Sequence, residues 1–185
     1  MRVLGITGSL RRGSHNARLL GAAGELLPPP AELEPFDGLK TVPAYDEDDD
    51  GDRAPVAVRR LRKAIREADA ILIATPEYNY SIPGVLKNAI DWASRPYGDS
   101  AWKGKPVAVM GASVGALGTA RAQYDLRKCF VFLDLPVVNQ PEVMISAAAD
   151  KFDQDGNLTD AKAKELIGKL LASLCELAGR TGGFR

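Results

Sequence analysis

With 185 residues the chain is long enough for one domain whose apolar surface closes into a single core without disulfide or metal staples. Lys plus Arg and Asp plus Glu each number 24, so the formal net charge is zero and no overall field directs the protein to nucleic acid or an anionic membrane; the expected partner is a small molecule or another protein. No run approaches about 18 apolar residues, "MRVLGITGS" lacks the pattern of a leader, and Cys129 and Cys175 form no CxxC pair, so the expectation is a cytoplasmic protein with two core thiols, neither secreted nor membrane-spanning.

Short apolar runs alternate with segments of helical periodicity along the chain. "RVLGIT" predicts a first strand, after which Ala17, Leu20, Ala23 and Leu27 mark one helical face and "PPP" at 28–30 stops that helix. "AELEPF" predicts a second strand. The acidic run "DEDDDGD" follows, leading into a helix with Val58, Leu61, Ile65 and Ala68 inside and Arg59, Arg60, Arg62, Lys63 and Arg66 on a solvated basic face. "DAILIAT" predicts the third strand. The next helix has Ser81 as its expected N-cap and Pro83 in its first turn, "KPVAVMG" and "LPVVN" predict the fourth and fifth strands, and Ile167, Leu170, Leu174 and Leu177 mark the last helix. This alternation is that of an α/β fold, a doubly wound parallel sheet in the order 2-1-3-4-5 within a single domain, residues 1–185.

Ligands of such sheets sit beyond the carboxyl ends of the strands, where the strand order reverses. That rule selects "TGSLRRGSHN", "TPEYNYSIPG" and "GASVGALG". The first gathers Ser9, Arg11, Ser14 and Asn16 at a helix start, where free N–H groups, hydroxyls and a guanidinium favour an anion. Neither GxxxxGK[ST] nor GxGxxG is present, which points away from nucleoside triphosphates and dinucleotides and toward a monophosphate. A plain turn with Ser14 as helix cap is the alternative. In the second loop, "EYNY" between Pro76 and Pro83 is a stiff cradle for a planar ring joined to that phosphate by a polyol-length linker.

"GSLRRGSHN", "TPEYNYSIPGVLKNAIDW" and "GTARAQYDLR" resemble the flavodoxin-like NAD(P)H-dependent FMN reductases, in particular the bacterial chromate and quinone reductases, over Val3 to about Met144. The resemblance implies a flavodoxin-like three-layer sandwich binding FMN. Ser9, Arg11, Ser14 and Asn16 then hold its phosphate, Pro76, Glu77, Tyr78 and Asn79 line the ring, and Ser113 and Gly115 complete the pocket. It further implies NADPH or NADH as donor and two-electron, ping-pong reduction of quinones, azo compounds, chromate or ferricyanide, with no obligatory catalytic side chain. A homodimer or homotetramer is implied as well, with Arg121, Tyr124 and Arg127 at an interface.

Three other readings compete. "GASVG" matches the GxSxG nucleophile elbow around Ser113, but the sole histidine, His15, lies upstream of it rather than downstream. Asp46, Asp48, Asp50 and Gly51 match the first ligand spacings of an EF-hand, yet Ala57 stands where a bidentate Glu is required and Pro55 interrupts the loop, so no metal site is expected. The alternative function is a flavodoxin-type electron carrier, without substrate of its own.

Overall fold

The computed structural model describes residues 1–181. Five strands form one parallel sheet: β1 (Arg2–Thr7), β2 (Glu32–Pro35), β3 (Ala70–Ala74), β4 (Val107–Ala112) and β5 (Val143–Ile145), in the order β2-β1-β3-β4-β5. All four pairings are parallel, as the near-continuous apolar runs of the central strands require when both sheet faces are covered. Helices α1 (His15–Leu26), α2 (Val56–Glu67), α3 (Gly84–Ala93), α4 (Ala120–Leu133) and α5 (Ala161–Thr181) do the covering.

Strand side chains alternate between two cores. Val3, Ala70, Leu72, Ala108 and Met110 join Leu19, Leu20 and Ala23 of α1 and Ile167, Leu170 and Leu174 of α5 on one face. Leu4, Ile6, Ile71, Ile73, Val107 and Val109 join Leu61, Ile65, Leu86, Ile90, Leu126 and Phe130 of α2, α3 and α4 on the other. Cys129 and Cys175 are free thiols at the margins of these cores, and burial pushes both up from the ordinary thiol value.

Four local expectations are corrected. "LPVVN" is not the fifth strand: Val107 N–H donates to Pro136 O and Val138 N–H to Val107 O, each at 2.9 Å, but this is an isolated bridge. The chain then leaves the sheet at Asn139–Glu142, where Pro141 has no N–H to give, and pairing resumes with Val143 against Met110. Ala17 is exposed, and the inner face of α1 is Asn16, Leu19, Leu20 and Ala23. Ser81 does not cap α3; Pro83 holds that position, and the Ser81 hydroxyl donates to Asp125 Oδ2 at 2.7 Å. Arg62 is not on the solvated basic face. It is buried beneath the 36–55 loop, donating to Trp92 O at 3.1 and 2.9 Å and to Asp50 Oδ1 at 2.6 Å.

Candidate active site

The three loops chosen from the sequence converge beyond the carboxyl ends of β1, β3 and β4. They enclose a cleft of about 270 Å³ lined by Ser9, Arg11, Ser14, His15, Asn16, Pro76, Glu77, Tyr78, Ala112, Ser113 and Val114. Eight of the ten binding residues expected from the sequence meet there; Asn79 and Gly115 do not line it.

The first loop leaves β1 when Gly8 N–H bonds to Ala74 O at 2.9 Å. Ser9 is nearly buried; its Oγ accepts from Arg11 N–H at 3.4 Å and shares a 3.4 Å hydrogen bond with the Tyr78 hydroxyl. Ser14 is the N-cap of α1, its Oγ accepting from Ala17 N–H at 3.2 Å. Capping and anion binding coexist here, because the cap uses the hydroxyl as acceptor and leaves its proton to donate. The N–H groups of His15 and Asn16, in the first turn, have no acceptor among the described residues. Arg11 lies at the rim with its guanidinium on Gly13 O at 2.8 Å.

Asn16 is spent differently from the sequence expectation. Its side chain exchanges two 2.9 Å bonds with the backbone N–H and C=O of Ala112, tying the start of α1 to the end of β4. What it still offers an anion is its main-chain N–H.

The second loop explains why "EYNY" ends a buried strand. Tyr78 and Ser81 exchange N–H···O bonds of 3.1 Å, with Asn79 at φ 50° and Tyr80 at φ 69° between them. This is a two-residue turn with both central residues left-handed, the type I′ pattern. Asn tolerates that region and Tyr does not, at a cost of about 1–2 kcal/mol. The Arg121 guanidinium lies 3.5 Å over the Tyr80 ring and helps hold it.

Glu77 anchors the turn from its other side. Its nearly buried carboxylate pairs with Arg121 and accepts from the N–H groups of Arg121 at 3.0 Å and Ala122 at 3.2 Å. Thr119, the residue before α4, makes no side-chain cap, so Glu77 caps α4 from a different loop. Arg121 is thereby committed within its own chain, as is Arg127, which donates to Val138 O and Asn139 Oδ1, both at 3.1 Å. Tyr124 stays half-exposed, its phenol pushed up from its ordinary value by a hydrogen bond to Glu142.

The third loop needs two glycines. A Cβ on Gly111 would stand 2.0 Å from Thr119 Oγ1 and 2.5 Å from Thr75 O, and one on Gly118, at φ 53°, would stand 2.7 Å from Met144 C. Ser113 is fixed by its N–H on Ile145 O at 2.9 Å, while its Oγ accepts from Gly115 N–H at 3.1 Å.

His15 shares the cleft with Ser113, which the sequence order did not reveal. No hydrogen bond joins them: His15 Nδ1 is buried without a partner, and its ring stacks on Phe152 at 5.7 Å. The hydrolase elbow therefore has no base. Likewise, no group of three metal-ligating side chains occurs among the described residues, and Asp50 of the EF-hand-like run is taken by Arg62. His15, expected from the sequence as a loop residue beside the ligand, lines the cleft, and the lining residues missed in the sequence are Ala112 and Val114, apolar positions that no residue-type signal distinguishes.

The donor set fits FMN: hydroxyls, a guanidinium and two helix-start N–H groups suit a phosphate. Pro76 and Tyr78 in the same lining offer flat surfaces for a ring. Comparison with known proteins agrees. The sequence profile described as NADPH-dependent FMN reductase matches residues 1–150. An NAD(P)H-dependent FMN reductase of Pseudomonas aeruginosa is 55% identical over 174 residues, 94% of this chain and 93% of that one. A 2-hydroxy-1,4-benzoquinone reductase of a Burkholderia species is 44% identical over 167 residues, 90% of each. The solved structure of FerB, a flavoenzyme NAD(P)H:(acceptor) oxidoreductase from Paracoccus denitrificans, superimposes with a TM-score of 0.88 at 37% identity over 97% of this chain and 98% of that one. With sheet order, cleft and sequence in accord, the chain belongs to the NADPH-dependent FMN reductase family, flavoenzymes that use FMN and NAD(P)H.

Proposed function

We propose that this flavoenzyme, folded as one FMN-binding domain, passes two electrons from NAD(P)H to quinones by a ping-pong sequence, and also accepts azo compounds, chromate and ferricyanide. The observation that carries the proposal is the convergence of Ser9, Arg11, Ser14, Pro76 and Tyr78 on one cleft at the switch point between β1 and β3. The quinone assignment is supported by the similarity to the Burkholderia benzoquinone reductase.

FMN, when bound, would supply the redox chemistry as a two-electron carrier between NAD(P)H and the acceptor. The chain's own residues bind and orient. Ser9, Ser14, Arg11 and the first-turn N–H groups hold the phosphate; the turn at Tyr78–Ser81, stiffened by Glu77 and Arg121, holds the ring edge. Asn79 and Gly115, outside the cleft itself, act through the shape of their loops. No side chain is required as nucleophile or obligatory acid, and an open wall serves donor and acceptor in turn.

The same reading places the protein in the cytoplasm as a homodimer or homotetramer. Among the described residues no helix is long and apolar enough to cross a membrane. The self-association surface is on α4, with Arg121, Tyr124 and Arg127 as read from the sequence and the exposed Val131 and Phe132 on the same helix.

The test is an anaerobic visible spectrum of the FMN-loaded protein, followed by initial rates with 1,4-benzoquinone. Bleaching by NADPH and parallel double-reciprocal lines are expected. A flavin that NADPH reduces without turnover of the quinone would leave an electron carrier instead.

A further inference from the structure

His15 is the only histidine in the chain, and it opens α1 in the wall of the cleft beside Arg11, Ser14 and Asn16. A buried ring nitrogen without a partner, such as its Nδ1, is uncommon and calls for a reason. Three side chains act on the ring. Phe152 stacks on it and brings no charge, Arg11 acts on it from the preceding loop, and Arg18 acts from one turn further along α1. Burial first, then these two cations, hold the imidazole below its ordinary value and hence neutral near pH 7 in the free protein. Glu77, the one carboxylate in the cleft lining, is committed to Arg121 and the first N–H groups of α4, so the imidazole's surroundings supply positive charge and an apolar wall but no free anion.

A phosphomonoester brings about −1.5 to −2 charges into this cleft at neutral pH. Placed against Ser9, Arg11 and Ser14, it cancels the field of the two guanidiniums that disfavours imidazolium and brings anionic acceptor oxygens into the cleft that the imidazole lines. We propose that His15 couples phosphate binding to proton uptake, its imidazole gaining a proton from solvent as a phosphate-bearing flavin enters the cleft. His15 is then a binding group of the anion cradle, not a participant in electron transfer. The proposal rests on the FMN reading given above.

Because there is one histidine, its imidazole resonances in the whole protein are unambiguous. The experiment titrates the 15N-histidine-labelled wild-type protein by NMR in the free state, saturated with riboflavin 5′-phosphate, and saturated with riboflavin. The midpoint of His15 is expected to move up by about one pH unit or more with riboflavin 5′-phosphate and to stay near its free value with riboflavin. A midpoint that is unchanged or lower with riboflavin 5′-phosphate overturns the proposal, and so does an equal rise with riboflavin. Absence of riboflavin 5′-phosphate binding, read from its unquenched fluorescence, overturns the FMN reading itself and is distinguishable from both. As a second measurement, the proton count on binding riboflavin 5′-phosphate, from calorimetry in buffers of different ionisation enthalpy, is compared between wild type and His15→Phe. The ligand's own second ionisation contributes to both, so the expected result is a proton count shifted toward uptake in the wild type relative to the variant; equal counts overturn the proposal.

Discussion

Asp50 and Arg62 show how one buried pair fixes a long loop. Arg62 also donates twice to the Trp92 carbonyl, so the 36–55 segment is locked onto α2 and α3 from beneath. Burial pushes the Asp50 carboxyl up, but the Arg62 hydrogen bond, the Gly51 N–H and the nearby cations outweigh it and bring the group below its ordinary value. A folded-state value below the unfolded one, about 3.9, stabilises the protein at pH values above it, and that stability is lost as pH falls through the folded value. Asp50→Asn is therefore expected to lower stability at pH 7 by about 2–3 kcal/mol, because Arg62 is left buried without its counter-charge. It should also flatten the acid limb below about pH 4. Urea midpoints measured from pH 7 to pH 3 check both, and a parallel loss in wild type and variant across the acid range would contradict the assignment.

At the scale of elements, the catalytic end of the sheet is held by links between loops. Asn16 joins α1 to β4, Ser81 joins the second loop to α4, and Glu77 caps α4 from the loop after β3. Loss of the Glu77 carboxylate leaves two helix-start N–H groups without their acceptor and frees Arg121 from the turn it steadies. Glu77→Ala is expected to cost about 1–2 kcal/mol at an unchanged urea m-value and to weaken FMN affinity. Glu77→Gln, which keeps an acceptor oxygen, should lose less. An alanine variant as stable as wild type would show that water caps α4 equally well. The sequence "TPEYNYSIPG" announced the position of this loop but not its shape, since neither Asn79 nor Tyr80 carries the glycine signature of a left-handed turn.

At the scale of the whole molecule, zero net charge leaves association to local surfaces. On α4, Val131 is 82% and Phe132 is 72% exposed, an apolar edge that an isolated chain leaves in water. Sedimentation of the FMN-loaded protein is expected to show a dimer or tetramer rather than a 19.8 kDa species. Phe132→Lys should shift that distribution toward the monomer, with the fold retained by circular dichroism. A wild-type monomer at all concentrations would remove the proposed surface.

The sequence by itself determined the alternation of strands and helices, the strand order and the three loops that meet at the cleft, because period-2 and period-3.6 burial and turn chemistry are local properties written residue by residue. Leu61, Ile65, Ile167 and Leu174 lie inside, as their spacing requires. The tertiary structure alone decided which polar side chains face the cleft and which are consumed in holding it. Asn16 turns to Ala112, Glu77 to α4 and Arg62 to Asp50, while the upstream His15 lines the same cleft as Ser113. It also moved the fifth strand from "LPVVN" to Val143–Ile145. Each of these outcomes depends on a partner distant in sequence, and a buried donor or acceptor takes whichever partner the packed chain brings within reach.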